Sequence, residues 1–325
     1  MIFEVSTSYG NGNSQALRLC KRISEIILPL GEELLFDFRL YGENNPFSNL
    51  VLINSIKECR SKYPSNTMVC MPKNDSGYLE HIGFYKTIGI DYGKNPGEAR
   101  PSNSYVPISE IEFDDNFYNS CEKEAENLSN TVGIDEHLQD MLKYILIETI
   151  RNVFEHSGVR KVLVAAQKWS SRQEVEIAIA DSGCGIYKSL SSKVSGDNQT
   201  VLKMACRPGI SACSNYSYLE ESSPYRNSGY GLFVLKELIK KYSGLFLLCS
   251  GNDCLTCFSN FAPYFIETCY SGTALCLRFK TDVNVDFEKA RIEILETGKL
   301  IARQYADAIQ IPSMSSGGSY KKIII

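Results

Sequence analysis

Residues 135–158, DEHLQDMLKYILIETIRNVFEHSG, constrain this chain most. Apolar side chains recur there at three- and four-residue intervals, so the segment reads as one long amphipathic helix ended by Gly158. Two strand-like runs follow directly, VRKVLVAAQKWS and QEVEIAIAD. A helix with one apolar face beside such strands requires a layered packing of helix on sheet. The second run ends in Asp181-Ser-Gly-Cys-Gly185. A long irregular stretch, 186–228, rich in Ser, Asn, Gly and Tyr, comes next; segments of that kind tend to be functional lids or disordered. GYGLFVLKELIKKYSG (229–244) reads as a helix opened by glycines. FLLCSG (246–251) and GTALCLRFK (272–280) read as closing strands, and 286–309 as a further helix before a flexible tail.

The first hundred residues alternate helix and strand. Residues 14–28 have helical spacing, LLFDF (34–38) reads as a buried strand, 47–63 as a helix, TMVCMP (67–72) as a second strand and 77–89 as a helix stopped by glycine. Three prolines in GKNPGEARPSNSYVPIS (93–109) signal a linker. The expected organisation is a small α/β domain over 1–95, a linker and connecting helix over 96–130, a second domain over 131–281, and a C-terminal helix and tail over 282–325. At 325 residues, 43% hydrophobic and 22% charged, the chain can bury the cores of two such domains. A net charge of −4 and a pI near 5.6 argue against a dominant nucleic-acid-binding face.

No run of 18 apolar residues exists, so no membrane span is expected, and the N-terminus lacks the pattern of a signal peptide. The 12 cysteines are scattered, as expected of reduced thiols in a cytoplasmic protein. One CxxC, Cys254 to Cys257, has Cys249 and Cys269 nearby. Those four are the candidate zinc ligands, set against the plainer reading of small buried residues in strands.

Four short patterns carry chemistry. Glu148 and Asn152, four apart, share one face of the long helix. An amide oxygen suits Mg²⁺, and a carboxylate one turn away can hold a water aimed at a phosphate. Asp181 at a strand end can accept from an exocyclic amine, while Gly183 and Gly185 let backbone approach a flat ring. Gly229-Tyr230-Gly231-Leu232 opens a helix, where bare backbone N–H groups cradle anionic phosphates. Thr273, after Gly272, places a hydroxyl at the start of a strand. Each pattern alone is common: two surface residues on a helix, an ordinary turn, a hinge.

In this order the patterns resemble the ATPase superfamily of gyrase, heat-shock chaperone, histidine kinase and MutL (GHKL), over roughly 134–280. ETIRNVFEHSG is most similar to anti-sigma-factor serine kinases, with His156 completing the Glu148 and Asn152 spacing. GYGLFVLKELIKKYSG is similar to the last helix of histidine kinases. The resemblance implies an α+β two-layer sandwich, a mixed sheet covered on one face by helices, preceded by the small α/β domain. It implies ATP under a lid, Asn152 on Mg²⁺, Asp181 on the adenine amine with Thr273 assisting, Gly183 and Gly185 around the base, Gly229 to Leu232 at the phosphates, and Glu148 as general base. His156 reads equally as a helix cap, and Arg226 as a phosphate contact or a surface residue.

His137 lies on the same helix as Glu148, so a sensor histidine kinase with a separate phospho-acceptor helix is not expected. His81 reads as structural or exposed. About 45 residues follow Lys280, too few for the lysine-bearing second domain of gyrase and MutL relatives. The N-terminal region, through YLEHIGF and its element order, resembles the STAS domains of anti-sigma-factor antagonists. That makes it a candidate protein-interaction module, with Ser48 as a candidate phosphorylation position. Three functions follow as expectations: a Mg-ATP-binding regulatory protein with slow hydrolysis, a serine/threonine kinase of the anti-sigma type, or a non-enzymatic nucleotide-sensing scaffold. A homodimer is compatible with the resemblance.

Overall fold

The computed structural model describes residues 1–7, 12–42, 45–73, 77–95, 98, 104–112, 117–132, 136–211 and 229–304. The N-terminal part is a three-stranded parallel sheet in the order β1 (Ile2–Glu4), β2 (Leu34–Asp37), β3 (Met68–Met71). Parallel neighbours need long crossovers. Helices α1 (Gly12–Ser24) and α2 (Pro46–Lys62) supply them. The segment read as one helix over 77–89 is two short ones, α3 (Gly77–His81) and α4 (Phe84–Thr87). Gly83 separates them in the left-handed region, φ 83°.

A second sheet of five strands follows. Its members are β4 (Tyr105–Glu112), β5 (Lys161–Trp169), β6 (Glu174–Ala180), β7 (Leu245–Phe258) and β8 (Tyr264–Lys280), in the order β4-β5-β6-β8-β7. Every pairing in it is antiparallel, not mixed as the resemblance implied. The first strand of this sheet falls inside the segment read as a linker. Its proline, Pro107, sits on an edge strand beside a register shift, where a missing N–H is tolerated. The closing strands are also longer than expected, forming a hairpin with register shifts around Gly251.

One face of this sheet carries α5 (Phe117–Val132), α6 (Glu136–His156), α9 (Gly231–Lys241) and α10 (Phe287–Ala302). Val162, Val164, Ile177, Ile179, Leu275 and Leu277 point into that core. The alternate positions, Leu163, Ala165, Ala178, Ala180, Ala274 and Cys276, are also buried, against α1 and α2. Both faces of the sheet are therefore covered, where the resemblance implied helices on one face only. Near-continuous apolar runs such as VLVAA and IAIA are the signature of a strand buried on both faces. On the N-terminal side the central positions are small, which lets helices approach closely.

Helix α2 follows the same logic. Every residue from Pro46 to Ile56 is buried, the polar Ser48, Asn49, Asn54 and Ser55 included, as befits a helix enclosed on two sides. Its start is tied to the large sheet. The buried carboxylate of Glu176 accepts from the Phe47 N–H at 3.0 Å and from Arg278 Nε at 2.8 Å. Ser48 lies inside this junction, fully buried, donating to Asn13 Oδ1 at 3.2 Å. That seals the hydroxyl proposed as a phosphorylation position.

The stretch read as irregular begins with two helices, α7 (Gly185–Leu190) and α8 (Asn198–Ala205), the latter capped by Asp197 accepting from the Thr200 N–H at 2.8 Å. Residues 212–228, with Arg226, and the tail from 305 lie outside the described residues, as does the side chain of His137. His81 packs its ring edge-on to Tyr105, in keeping with a structural role.

Helix α10 is capped by Asp286, which accepts from the Lys289 N–H at 3.0 Å. Asp286→Ala is expected to lower stability by about 1 kcal/mol, read as a lower urea midpoint at constant slope. An unchanged midpoint would show that the cap contributes nothing. No helix among the described residues is long and apolar enough to cross a membrane.

Candidate functional site

A cleft of about 800 Å³, partly open to solvent, lies between α6, the end of β6, α7 and the start of α9. Its walls are built by helical periodicity on one side. Thr149, Asn152, Val153 and His156, at three- and four-residue steps along α6, all face it. Ile179, Leu248 and Leu275 form its sheet side, with Ile186 and Leu190 opposite on α7.

Of the residues singled out from sequence, Asn152, His156, Asp181, Gly185, Gly229, Gly231, Leu232 and Thr273 line this one cleft. They come from four separate stretches of chain. Glu148, Gly183 and Tyr230 do not line it.

Asp181 sits where β6 ends. Its backbone N–H donates to Thr273 O at 2.9 Å, which continues the strand pairing by one residue. Its Oδ1 accepts from the Gly183 N–H at 2.7 Å. Its Oδ2 is buried and has no hydrogen-bond partner among the described residues. Burial pushes the carboxyl up to about 6, against the lowering effect of the Gly183 and Thr273 contacts.

The glycines are explained mainly by close approaches within the protein. A Cβ on Gly272 would lie 2.1 Å from Asp181 O, and one on Gly183 2.4 Å from Ser157 O. Gly185 and Gly229 have φ of 74° and 71°, and added side chains there would meet Ser250 Oγ and the Ile210 backbone. A Cβ on Gly231 would stand 2.6 Å from Glu148 Oε2. So Gly183, read as shaping a ligand pocket, instead docks the Asp181 turn onto the end of α6.

Glu148 is fully buried behind the first turn of α9. Its Oε2 accepts from Arg151 Nη2 at 2.8 Å, and Arg151 is itself buried on the same helix. The carboxylate is thus engaged in an ion pair within the core and does not face the cleft. Tyr230 is likewise buried, its ring against Gly298 of α10.

No protein-family model matches this chain, and no curated protein matches it. The site is therefore read from its own geometry.

Sequence reasoning missed Thr149, Ser189 and Ser211 on the cleft, and Asn54, Ser250 and Tyr270 behind it. Thr149 was legible, one turn before Asn152. Asn54 was not, since only the tertiary fold brings it to Asp181. The cysteine pattern resolves by strand alternation. Cys254 and Cys257, three apart on β7, fall on opposite faces of the sheet and in different cores. Among the described residues no group of three or more His, Cys, Asp or Glu could hold a metal ion.

Proposed function

We propose that the cleft binds an adenine nucleotide with Mg²⁺, in the manner of the GHKL ATPases, and that the protein is a regulatory ATP-binding protein with slow hydrolysis. The observation that carries this reading is Asp181 Oδ2, a buried acceptor with no partner among the described residues, on the wall of a mainly apolar cleft. Such a group favours a flat apolar ligand that brings its own N–H donor, and the 6-amino group of adenine meets that need. The ring would lie among Ile179, Ile186 and Leu275, with the Thr273 hydroxyl beside the amine.

The phosphates would extend toward Gly229 and Gly231, at the N-terminus of α9, where a helix start favours anions. Asn152, on the α6 wall between these two regions, would offer its amide oxygen to Mg²⁺, the remaining ligands being phosphate oxygens and water. When bound, the metal would supply charge neutralisation to the phosphates. A protein partner sensing the state of this cleft completes the proposal.

One observation favours a second reading. The ion pair of Glu148 with Arg151 holds the one candidate base away from the cleft surface, which suits nucleotide sensing without turnover.

Incubation with Mg²⁺ and γ-labelled ATP separates these. Slow release of labelled phosphate, lost in Glu148→Gln, is expected for a hydrolase. Binding that survives Glu148→Gln with no release marks a sensor, and label on protein a kinase. In all three cases Asn152→Ala should weaken Mg-ATP binding by about tenfold or more, equivalent to roughly 1.4 kcal/mol. Wild-type protein that binds no ATP would refute the proposal.

A further inference from the structure

The carbonyl of Asp181 is held from the N-terminal side of the sheet. Tyr270 Oη, from β8, donates to it at 2.9 Å. Asn54 Nδ2, from α2, donates to the same oxygen at 3.2 Å and to Tyr270 Oη at 2.7 Å. All three groups are buried. One turn further along α2, Glu58 accepts from Ser271 Oγ at 2.8 Å, so the helix contacts both β8 and the Asp181 turn. Asp181 is the first residue past β6, where backbone carbonyls lose their ladder partners and strand ends loosen. Here two side-chain donors take up both lone pairs of that carbonyl.

The same residue presents its carboxylate to the cleft on the other side. Its position there depends on the peptide being fixed, because its contacts, the Gly183 N–H and Thr273, belong to the same turn and to the strand end paired with it. Neither Asn54 nor Tyr270 lines the cleft, so neither can touch a ligand there directly.

We infer that Asn54, acting with Tyr270, is a positioning residue that sets the Asp181 carboxylate for the ligand's exocyclic amine, so that the N-terminal layer forms part of the nucleotide site. This rests on the adenine reading above. It extends that reading by assigning base selectivity to a residue in the other half of the chain, and it gives a physical route by which movement of α2 changes nucleotide affinity.

The test compares binding of ATP with binding of inosine triphosphate, which carries a carbonyl in place of the amine. Wild-type protein should prefer ATP. Asn54→Ala should weaken ATP by about tenfold, the scale of one lost buried hydrogen bond, and leave inosine triphosphate within about twofold. The ATP preference therefore falls, which general loosening of the fold would not produce, since that weakens both ligands alike. Tyr270→Phe removes a single oxygen and should lower the preference in the same direction. It serves as the deciding variant if Asn54→Ala does not melt cooperatively. If wild type discriminates and both variants keep its ratio, the positioning role is wrong and the nucleotide reading stands. If wild type binds neither nucleotide, the nucleotide reading fails and this inference with it.

Discussion

Gly272→Ala is expected to destabilise the protein by roughly 3 kcal/mol or more and to abolish the proposed nucleotide binding. The added methyl would sit 2.1 Å from Asp181 O, 2.7 Å from its carbonyl carbon and 3.0 Å from Oδ1. Two of these are backbone atoms, so no rotamer change relieves the clash. Either β8 separates from β6 beyond the Ala180–Ala274 pair or the Asp181 turn is displaced. Both outcomes damage the cleft, and both disturb the Tyr270 contact to the same carbonyl. The control is Gly77→Ala at the start of α3, where an added methyl meets nothing within 4 Å. That variant should melt with the wild type. If Gly272→Ala does so too, the close approach of β8 to the Asp181 turn is not essential to the fold.

Asp181→Asn should stabilise the unliganded protein at neutral and alkaline pH while removing the ATP binding proposed for the cleft. Burial raises the folded carboxyl from about 3.8 to about 6. Between those values the folded state binds more protons than the unfolded one, so stability falls as pH rises through that window. The favourable contribution is complete below about 3.8 and lost above about 6. A shift of that size corresponds to a loss on the order of 3 kcal/mol.

An amide at this position carries no such charge. Urea titrations at pH 4, 6 and 8 should therefore show the variant gaining on wild type with rising pH, with little difference at pH 4. A difference independent of pH would mean that Asp181 is not held in an unfavourable charged state. If the cleft binds ATP as proposed, wild-type affinity should fall below about pH 6, since a protonated carboxyl is a poorer acceptor for the amine.

The candidate site was legible because its parts are local. ExxxN on a helix, Asp at a strand end, and glycines before a helix are each set by a few consecutive residues, and the fold brings most of them to one cleft. The roles of individual residues were less legible. Gly183 and Tyr230 look outward in the sequence, yet they answer to Ser157 and Gly298, far along the chain. Glu148 reads as a free carboxylate until Arg151, three residues on, is seen to close on it within the core. The largest departure is the covering of the second sheet face. Its evidence was present in the alanines and cysteines alternating with larger residues on β5, β6 and β8, but small residues do not announce which helices lie on them. Pro107 misled for a definite reason. A proline ends most strands, and only its place on an edge strand lets β4 continue.

The packing of α1 and α2 beneath β8 also has a consequence in time. Thr268 Oγ1 donates to Leu17 O across 251 residues, and Asn54 meets Tyr270 across 216. During synthesis the early helices emerge well before the strand that covers them. At about 5–20 residues per second a gap of 216 residues lasts roughly ten to forty seconds. For that interval the sides of α1 and α2 that pack on the large sheet lack their final cover. Contacts so distant in sequence also form slowly once the partners exist. Until that closure the Asp181 turn lacks its supports from Asn54 and Tyr270, so the cleft would take its final shape only at the last stage of folding.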